Sequence, residues 1–501
     1  MKKLRIGFII AVFSVVFNYY AAGSAAELNK ASKGDLNELS YLKVISPDKL
    51  KEDLDFLFKT IEEVHPNMYA YTSKEEFASL REQLYKDVNR PMTRLEFYKL
   101  TAPVVAAIKN SHTLVRPFVQ EFERYFRGGG KVFPLELRWD GPKIILSKNY
   151  SSTALPLAGH VLTINGRSVH EMLAIFSRLF STENRSTNPR IVTEQPNLLR
   201  FLLWLEYGPV ESWELKTISN DGKVNSYTIK SAAATEIKGH EAKDDDVASK
   251  FSYRYFPDYN AVLLEIKSFG GELKQFEVFQ HVFERFLNDS FRKIRQQKVS
   301  NLIIDVRDNE GGTESPVHRL MEYLTSEPYR LYEKAEIKIS AQSSEQIGHF
   351  RQKLPDRFEG KKQGDIVAIE FPLRNPPANL LRFSGTIFVL TGSRTWSAGT
   401  VFASAMKCFN VGTLVGEETP DPPTLYGSCI FSELANSGLQ FMVASKLLVA
   451  ACSKPDGRGV IPDYEVKQRP EDTAKGIDTV REFTLRLISE SHTKINPKQD
   501  F

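Results

Sequence analysis

A serine that follows a buried strand and precedes a helix is the first candidate for chemistry. Ser397 lies in TGSRTWSAGT (391–400), after the apolar run GTIFVL and before VFASAMKCF, which has helical spacing. The N-terminus of a helix favours developing negative charge, so a hydroxyl at that point could act as a nucleophile. The alternative interpretation is an ordinary N-cap, for which serine is a preferred residue.

A serine nucleophile needs a base, and the segment KNSHTLVRP (109–117) offers His112. His112 lies where a predicted helix gives way to extended chain, a position at which a lone histidine often only caps or packs. A histidine with an ordinary pKa near 6.5 acts as a base when neutral, which predicts that kcat/KM rises through about pH 6 to 7.

A third group of candidates follows another buried strand, in LIIDVRDNEGGTE (302–314). Asp305 and Arg307 close that strand, and Gly311 and Gly312 follow. Ligands of α/β sheets bind beyond the carboxyl ends of parallel strands, and adjacent glycines let backbone N–H groups approach a ligand closely.

The pattern along the chain predicts a multidomain α/β fold that would position these groups. Helical spacing dominates early, short alternating segments with Asn-Gly and Asp-Gly turns follow, and apolar strands separated by helices come last. The last pattern predicts a mainly parallel sheet covered on both faces. The predicted domains are residues 27–125 (helical, carrying His112), 126–240 (small and β-rich) and 250–490 (α/β and catalytic).

Composition excludes several classes of function. The 501 residues are 42% hydrophobic and 26% charged, which is ordinary for globular domains. A net charge of only +4 argues against a nucleic-acid partner. Three cysteines form no disulfide framework, and the isolated pairs His281/Glu284 and His318/Glu322 do not predict a metal site.

The first 26 residues have the pattern of a secretory signal peptide. A basic start, MKKLR, precedes an apolar stretch and a segment of small residues, which predicts cleavage near Ala25 or Ala26. The protein is therefore expected to be exported, to a periplasm or the medium. The apolar stretch is short for a membrane span, and an uncleaved anchor is the alternative.

Four blocks, taken in order, resemble the C-terminal-processing (tail-specific) serine peptidases and the catalytic core of tricorn protease. VVAAIKNSHTLV is similar to their histidine segment, NLIIDVRDNEGG to their Asp-x-Arg-x-Asn-x-Gly-Gly strand end, VLTGSRTWSAGTVFASAMK to their nucleophile block, and GRGVIPDYEV to their closing signature. GHVLTINGRSV resembles part of a PDZ-like domain. The resemblance implies a β-rich PDZ-like domain, a C-terminal catalytic domain of the crotonase/ClpP-like type, and a serine endopeptidase.

The resemblance also implies the roles of the site residues. The serine–lysine members carry a lysine 25 residues after the nucleophile, where this chain has Pro422. The tricorn-like serine–histidine arrangement is therefore implied. Its catalytic residues would be Ser397, His112, Ser111 and the acid Asp456, with Glu417 and Glu418 as rival acids, and its oxyanion hole would use Gly312 or Gly311 together with Ala398.

Such an enzyme needs no metal or organic cofactor, and its expected partner is a peptide or an unfolded protein. The β-rich domain would recruit an extended peptide by adding it to a sheet edge, or would only brace its neighbours. Thr400 and the pair Asn309-Glu310 depart from the family pattern. A non-catalytic binding protein of the same fold and an esterase-type acyl hydrolase are therefore the alternative functions.

Overall fold

The computed structural model describes residues 44–140, 143–183, 192–193, 195–219, 221–237, 247–270, 276–453 and 457–495. The predicted signal peptide, the Lys/Asp-rich stretch up to residue 246 and Asp456 lie outside the described residues.

The N-terminal region is helical, as the sequence pattern predicts. Its elements are β1 (Val44–Ile45), α1 (Pro47–Val64), α2 (Lys74–Asp87), β2 (Met92–Thr93), α3 (Arg94–Ala106), β3 (Leu114–Val115) and α4 (Val119–Arg127). The Ser73 hydroxyl caps α2 by accepting from the Glu76 N–H at 3.1 Å, and Thr93 with Glu96 forms a capping box on α3. Helix α4 was not predicted, and the domain boundary expected at residue 125 falls inside it.

The second region is an antiparallel sheet with two helices. Its elements are β4 (Leu135–Asp140), β5 (Lys143–Asn149), β6 (His160–Ile164), β7 (Arg167–Ser168), α5 (Val169–Ser177), α6 (Pro196–Tyr207), β8 (Ser212–Ile218) and β9 (Val224–Lys230). The strand order is β4-β5-β6-β8-β9, which leaves β4 and β9 at the edges of the sheet as described. One continuous hydrophobic core joins this sheet to the N-terminal helices, and within it the Phe122 and Phe201 ring centroids are 5.7 Å apart.

The third region contains the predicted α/β sheet and a second, antiparallel sheet. Its elements are β10 (Phe251–Phe256), β11 (Ala261–Ile266), α7 (Phe276–Gln296), β12 (Asn301–Asp305), α8 (Glu314–Leu324), β13 (Tyr332–Lys338), α9 (Ser344–Lys353), α10 (Pro355–Phe358), β14 (Ile366–Glu370), β15 (Thr386–Thr391), α11 (Ala398–Cys408), β16 (Thr413–Gly416), β17 (Leu425–Glu433), β18 (Gln440–Ala450), β19 (Tyr464–Glu465), α12 (Pro470–Ala474) and α13 (Thr479–Ile495).

The larger sheet has the order β10-β11-β12-β15-β16-β19. Strands β11 to β19 in this order pair in parallel, and only the edge strand β10 is antiparallel. Apolar residues cover both faces: α7, α8 and α11 contribute to the core on one side and α13 to the core on the other. The predicted α/β fold with a mainly parallel sheet is therefore confirmed.

The second sheet has the order β14-β13-β18-β17, and β3 pairs with β18. Leu114 lies opposite Met442 and Val115 opposite Phe441, so the chain just after His112 is held on a strand of the C-terminal region. A disulfide joins Cys408, at the end of α11, to Cys452, just after β18. No helix within the described residues is both long and apolar enough to cross a membrane.

Candidate active site

Ser397 occupies a strained turn between β15 and α11. Its backbone has φ 48° and ψ −113°, in a region that non-glycine residues seldom adopt. Its side chain makes no capping hydrogen bond to α11, so the interpretation as an ordinary N-cap is not supported. A serine held on a sharp strand-to-helix turn presents its hydroxyl outwards, as in nucleophile elbows.

The Gly311–Gly312 turn lies directly against Ser397. A Cβ atom added to Gly311, which has φ +94°, would lie 2.9 Å from the Ser397 Cβ. At Gly312, with φ +142°, an added Cβ would lie 2.2 Å from the Phe269 carbonyl carbon. Only glycine fits these two positions, so the backbone itself forms the wall beside the serine.

Asn309 organises this wall. Its side chain donates to the Ile266 carbonyl at 2.9 Å and accepts from the Gly311 N–H at 2.9 Å, and its own carbonyl accepts from the Trp396 N–H at 2.8 Å. Asn309 thus has a structural role in positioning the glycine turn beside Ser397. Because the Gly311 N–H is engaged, Gly312 is the better candidate of the two for an oxyanion hole.

The predicted base lies in the loop between α3 and β3. His112 is completely buried, and its Nδ1 lies 3.0 Å from the Ser111 Oγ. The Cys429 thiol donates to the His112 carbonyl at 3.5 Å, and a Cβ added to Gly427 would lie 3.9 Å from the imidazole Cδ2. Burial lowers the pKa of His112 to about 3, so the imidazole is neutral at physiological pH.

Two carboxyl groups that the sequence did not indicate meet at Ser111. Glu183 accepts from the Asn110 side-chain amide at 2.7 Å and from the Ser111 N–H at 3.1 Å. Asp421, which is completely buried, accepts from the Ser397 N–H at 3.1 Å. The Ser111 side chain also lowers the pKa of each carboxyl group, against the larger effect of burial. Glu183 therefore contacts the Ser111–His112 segment, and Asp421 contacts the Ser397 turn.

Electrostatics distinguishes these two acids from surface carboxylates. Burial raises the pKa of both Glu183 and Asp421, and repulsion by Glu183 raises the pKa of Asp421 further. Asp421 follows β16, so its place beyond the carboxyl end of a parallel strand was a usable signal. Glu183 lies in a loop beyond α5, and no local pattern in the sequence singles it out.

The other predicted acids are placed differently. Glu418 forms an ion pair with Arg458 at 2.6 Å and accepts from the Gly459 N–H at 2.8 Å. Glu417 lines a cleft described below. Asp456 lies outside the described residues.

Lys446 is a buried lysine on β18, near the histidine segment. It pairs across β17 and β18 with Gly427, which is the residue beside the His112 ring. Burial lowers the pKa of Lys446 to about 8, and the negative charge of Glu314 opposes that shift. The Lys446 Nζ lies 5.0 Å from the centroid of the Phe350 ring.

A cleft of about 520 Å³ is lined by Ser393 and Arg394, which precede Ser397 in the chain, while Ser397, Gly312 and His112 are not part of its lining. One wall is the edge strand β4, including Trp139, and the other is formed by the carboxyl ends of β12, β15 and β16, including Arg394 and Glu417. Among the described residues, no group of three or more His, Cys, Asp and Glu side chains could hold a metal ion.

Comparison with solved structures gives the fold. Mature CPAF has a TM-score of 0.63 at 13% identity, covering 88% of this chain and 98% of its own. CPAF complexed with lactacystin gives 0.62 at 14% identity, covering 90% and 100%. The photosystem II D1 C-terminal processing protease gives 0.44 at 14% identity, covering 88% and 97%.

Comparison with protein families gives the identity of the α/β region. No curated protein sequence is similar enough to be matched with this chain. The model of peptidase family S41 matches residues 262–466, a range that contains Gly311, Gly312 and Ser397. The resemblance to serine peptidases of family S41 is thereby confirmed for residues 262–466, and the likeness to mature CPAF supports the fold.

Proposed function

We propose that this protein is an exported serine peptidase in which Ser397 is the nucleophile and His112 the base. One observation carries the proposal. Ser397 sits in a strained turn without capping its helix, and the buried Asp421, which accepts the Ser397 N–H, is acted on by the charge of Glu183, which accepts the Ser111 N–H.

The tautomer of His112 follows from its contact with Ser111. A general base must have an unprotonated nitrogen facing the nucleophile, so on this assignment Nε2 is the unprotonated nitrogen and Nδ1 carries the proton. The Nδ1–H then donates to the Ser111 Oγ at 3.0 Å. Ser111 in turn donates its hydroxyl proton to a carboxyl group, which fixes the orientation of the imidazole.

The reaction would proceed in two halves. The Ser397 Oγ attacks the peptide carbonyl carbon while His112 Nε2 takes the hydroxyl proton, and His112 then delivers that proton to the leaving amine. The N–H groups of Gly312 and Ala398 stabilise the oxyanion, with each such donor contributing roughly 3 to 4 kcal/mol. In the second half His112 deprotonates water, which attacks the acyl-enzyme; the bond to Ser397 breaks, His112 returns the proton to the Ser397 Oγ, and the carboxylic acid product leaves.

The cleft next to the Ser397 loop suggests how a peptide would be held. Strand β4 is an edge of its sheet and forms one wall of this cleft. An extended peptide that pairs with β4 would run past Arg394 and the neighbouring nucleophile loop. We therefore propose that the β-rich region, which resembles a PDZ-like domain in sequence, recruits a peptide or an unfolded protein substrate along this edge.

Export is supported by the disulfide between Cys408 and Cys452, since such bonds persist mainly in oxidising compartments. The signal-peptide pattern of residues 1–26 points in the same direction. We propose a periplasmic or secreted location on these two grounds.

Labelling with a fluorophosphonate tests the nucleophile directly. Wild-type protein should be labelled at Ser397, and Ser397→Ala should lose both the label and hydrolysis of unfolded protein. The thermal midpoint should stay close to that of wild type, because the side chain caps no helix and so the cap loss of about 1 kcal/mol does not arise.

Ser404→Ala is the matched control, since Ser404 lies on the same helix and should keep both label and activity. Wild-type protein that takes no label, but binds peptides, would support the non-catalytic alternative instead. A label without peptide hydrolysis, together with turnover of simple esters, would indicate the esterase alternative.

A further inference from the structure

Two carboxyl groups approach each other behind Ser111, and they come from different regions of the chain. Glu183 belongs to the loop after α5, and Asp421 belongs to the loop between β16 and β17. Glu183 accepts the Ser111 N–H, Asp421 accepts the Ser397 N–H, and the charge of Glu183 raises the pKa of Asp421 beyond the effect of burial. Two negative charges this close in a buried site repel strongly, so full ionisation of both is unfavourable.

The surroundings of the two groups decide which one keeps its charge. Glu183 accepts two hydrogen bonds, from the Asn110 amide and the Ser111 N–H, and these favour its ionised form. Asp421 is fully buried, and among the described residues its Oδ1 has no hydrogen-bond partner. An unpaired buried carboxylate oxygen is costly, whereas a protonated carboxyl group carries no charge to desolvate.

Resting on the function proposed above, we infer that Glu183 and Asp421 form one positioning unit that holds a single negative charge, with Glu183 ionised and Asp421 protonated. In this unit the Ser111 hydroxyl would donate a hydrogen bond to Glu183, which already accepts the Ser111 N–H, and the Ser111 Oγ would accept a hydrogen bond from the His112 Nδ1–H. Asp421 accepts the Ser397 N–H through Oδ2 and so fixes the nucleophile turn without adding a second charge.

In this unit Glu183 takes the role of the acid that supports the histidine. The sequence left that role open among Asp456, Glu417 and Glu418. When His112 takes the proton of Ser397 it becomes a cation, and the charge of Glu183 stabilises that cation through Ser111. Among the described residues, His112 contacts Ser111, and the charge of Glu183 acts on Tyr71 and Tyr426. Burial and the charge of Glu183 raise the pKa of both tyrosines, so they stay neutral and do not balance this charge.

Replacing each carboxyl group by an amide tests which of the two carries the charge that supports catalysis. Glu183→Gln removes the charge and should lower kcat by about 100-fold or more, with KM changed by only a few fold. Asp421→Asn keeps a neutral side chain that can still accept the Ser397 N–H, so its loss should be at least ten times smaller. Equal losses, or a larger loss in Asp421→Asn, would overturn the assignment.

Stability against pH provides a second readout that does not depend on catalysis. A carboxyl group whose pKa is raised in the folded state contributes stability that is present below its unfolded pKa and is lost as pH rises through its folded pKa. Asp421→Asn cannot ionise, so its thermal midpoint relative to wild type should increase from about pH 4 towards alkaline pH. Asp356→Asn, at an exposed aspartate, should show no such trend.

The two readouts keep this inference distinct from the proposed peptidase function. Wild-type protein that takes no fluorophosphonate label would refute the nucleophile, while the pH trend of Asp421→Asn would still report whether Asp421 is protonated. If Glu183→Gln does not fold, the pH trend decides, and a midpoint difference that is constant with pH overturns the proposal.

Discussion

Burial of His112 changes the pH dependence expected of the enzyme. An ordinary histidine would have made kcat/KM rise through about pH 6 to 7, but burial lowers the pKa of His112 to about 3. The imidazole is then already neutral at pH 5, so His112 itself should cause no rise in kcat/KM between pH 5 and 8, and a loss of activity on the acid side of this range should come from protonation of Glu183, whose pKa burial raises. Initial rates of wild type and Glu183→Gln on a peptide substrate whose own charge is constant over this range measure it; a rise centred between pH 6 and 7 that persists in Glu183→Gln would contradict this expectation.

The same shift affects stability. Because the folded pKa of His112 lies below the unfolded value near 6.5, the unfolded chain takes up a proton that the native protein does not. The contribution of neutral His112 to the free energy of unfolding is therefore fully present above about pH 6.5 and is lost as pH falls towards 3.

Substitution of single residues identifies the base. His112→Ala should lower kcat/KM by about 10³-fold or more, since loss of a triad base has effects of that size. Lys446→Ala should retain most of the activity, although burial lowers the pKa of this lysine to about 8 and it lies across the strand pair from Gly427. Near-normal turnover of His112→Ala combined with loss in Lys446→Ala would make this a serine–lysine enzyme with a relocated lysine.

At the scale of elements, the contact between the glycine turn and the start of α11 shapes the site. Gly311→Ala would place a methyl group 2.9 Å from the Ser397 Cβ, in a backbone conformation of φ +94° that alanine disfavours. We expect a lower thermal midpoint and a loss of fluorophosphonate labelling, because the turn must move away from the nucleophile.

Gly348→Ala is the control for that substitution. Gly348 lies in α9, and an added Cβ there meets nothing within 4 Å. Alanine is the better helix former, so this variant should be as stable as wild type or slightly more stable, with full labelling. Unchanged labelling in Gly311→Ala would show that the glycine turn does not support the serine.

The elements that were predicted correctly share a strong local signal. Buried strands such as β12 and β15 are nearly continuous apolar runs, and α1 repeats apolar residues on one face. Both patterns can be recognised in the sequence alone. Helix α4 was missed because it is nine residues long and has no capping side chain. Glu183 was missed because only the packing of distant loops places it at Ser111, and no spacing in the sequence encodes that contact.

At the scale of the whole molecule, one disulfide ties the nucleophile helix to the second sheet. The bond between Cys408 and Cys452 spans 44 residues, which include β16, β17 and β18. Closing a loop of this length should stabilise the protein by about 4 kcal/mol through the entropy of the unfolded chain. The double variant Cys408→Ser/Cys452→Ser should therefore unfold at a clearly lower temperature than wild type.

Reduced wild-type protein is the matched comparison. A thiol reductant should lower its thermal midpoint to that of the double variant, and should leave the double variant itself unchanged. A wild-type midpoint that does not respond to the reductant would show that the bond adds no stability.

The pairing of β3 with β18 has a consequence for biosynthesis. His112 and Ser397 are 285 residues apart, and the partners of β3, Phe441 and Met442, are made later still. A ribosome that has finished the nucleophile helix has therefore not yet made the strand on which the histidine segment docks. On the proposed assignment, nascent and prematurely terminated chains are inert, and hydrolytic activity begins only once almost the whole polypeptide has been synthesised and folded.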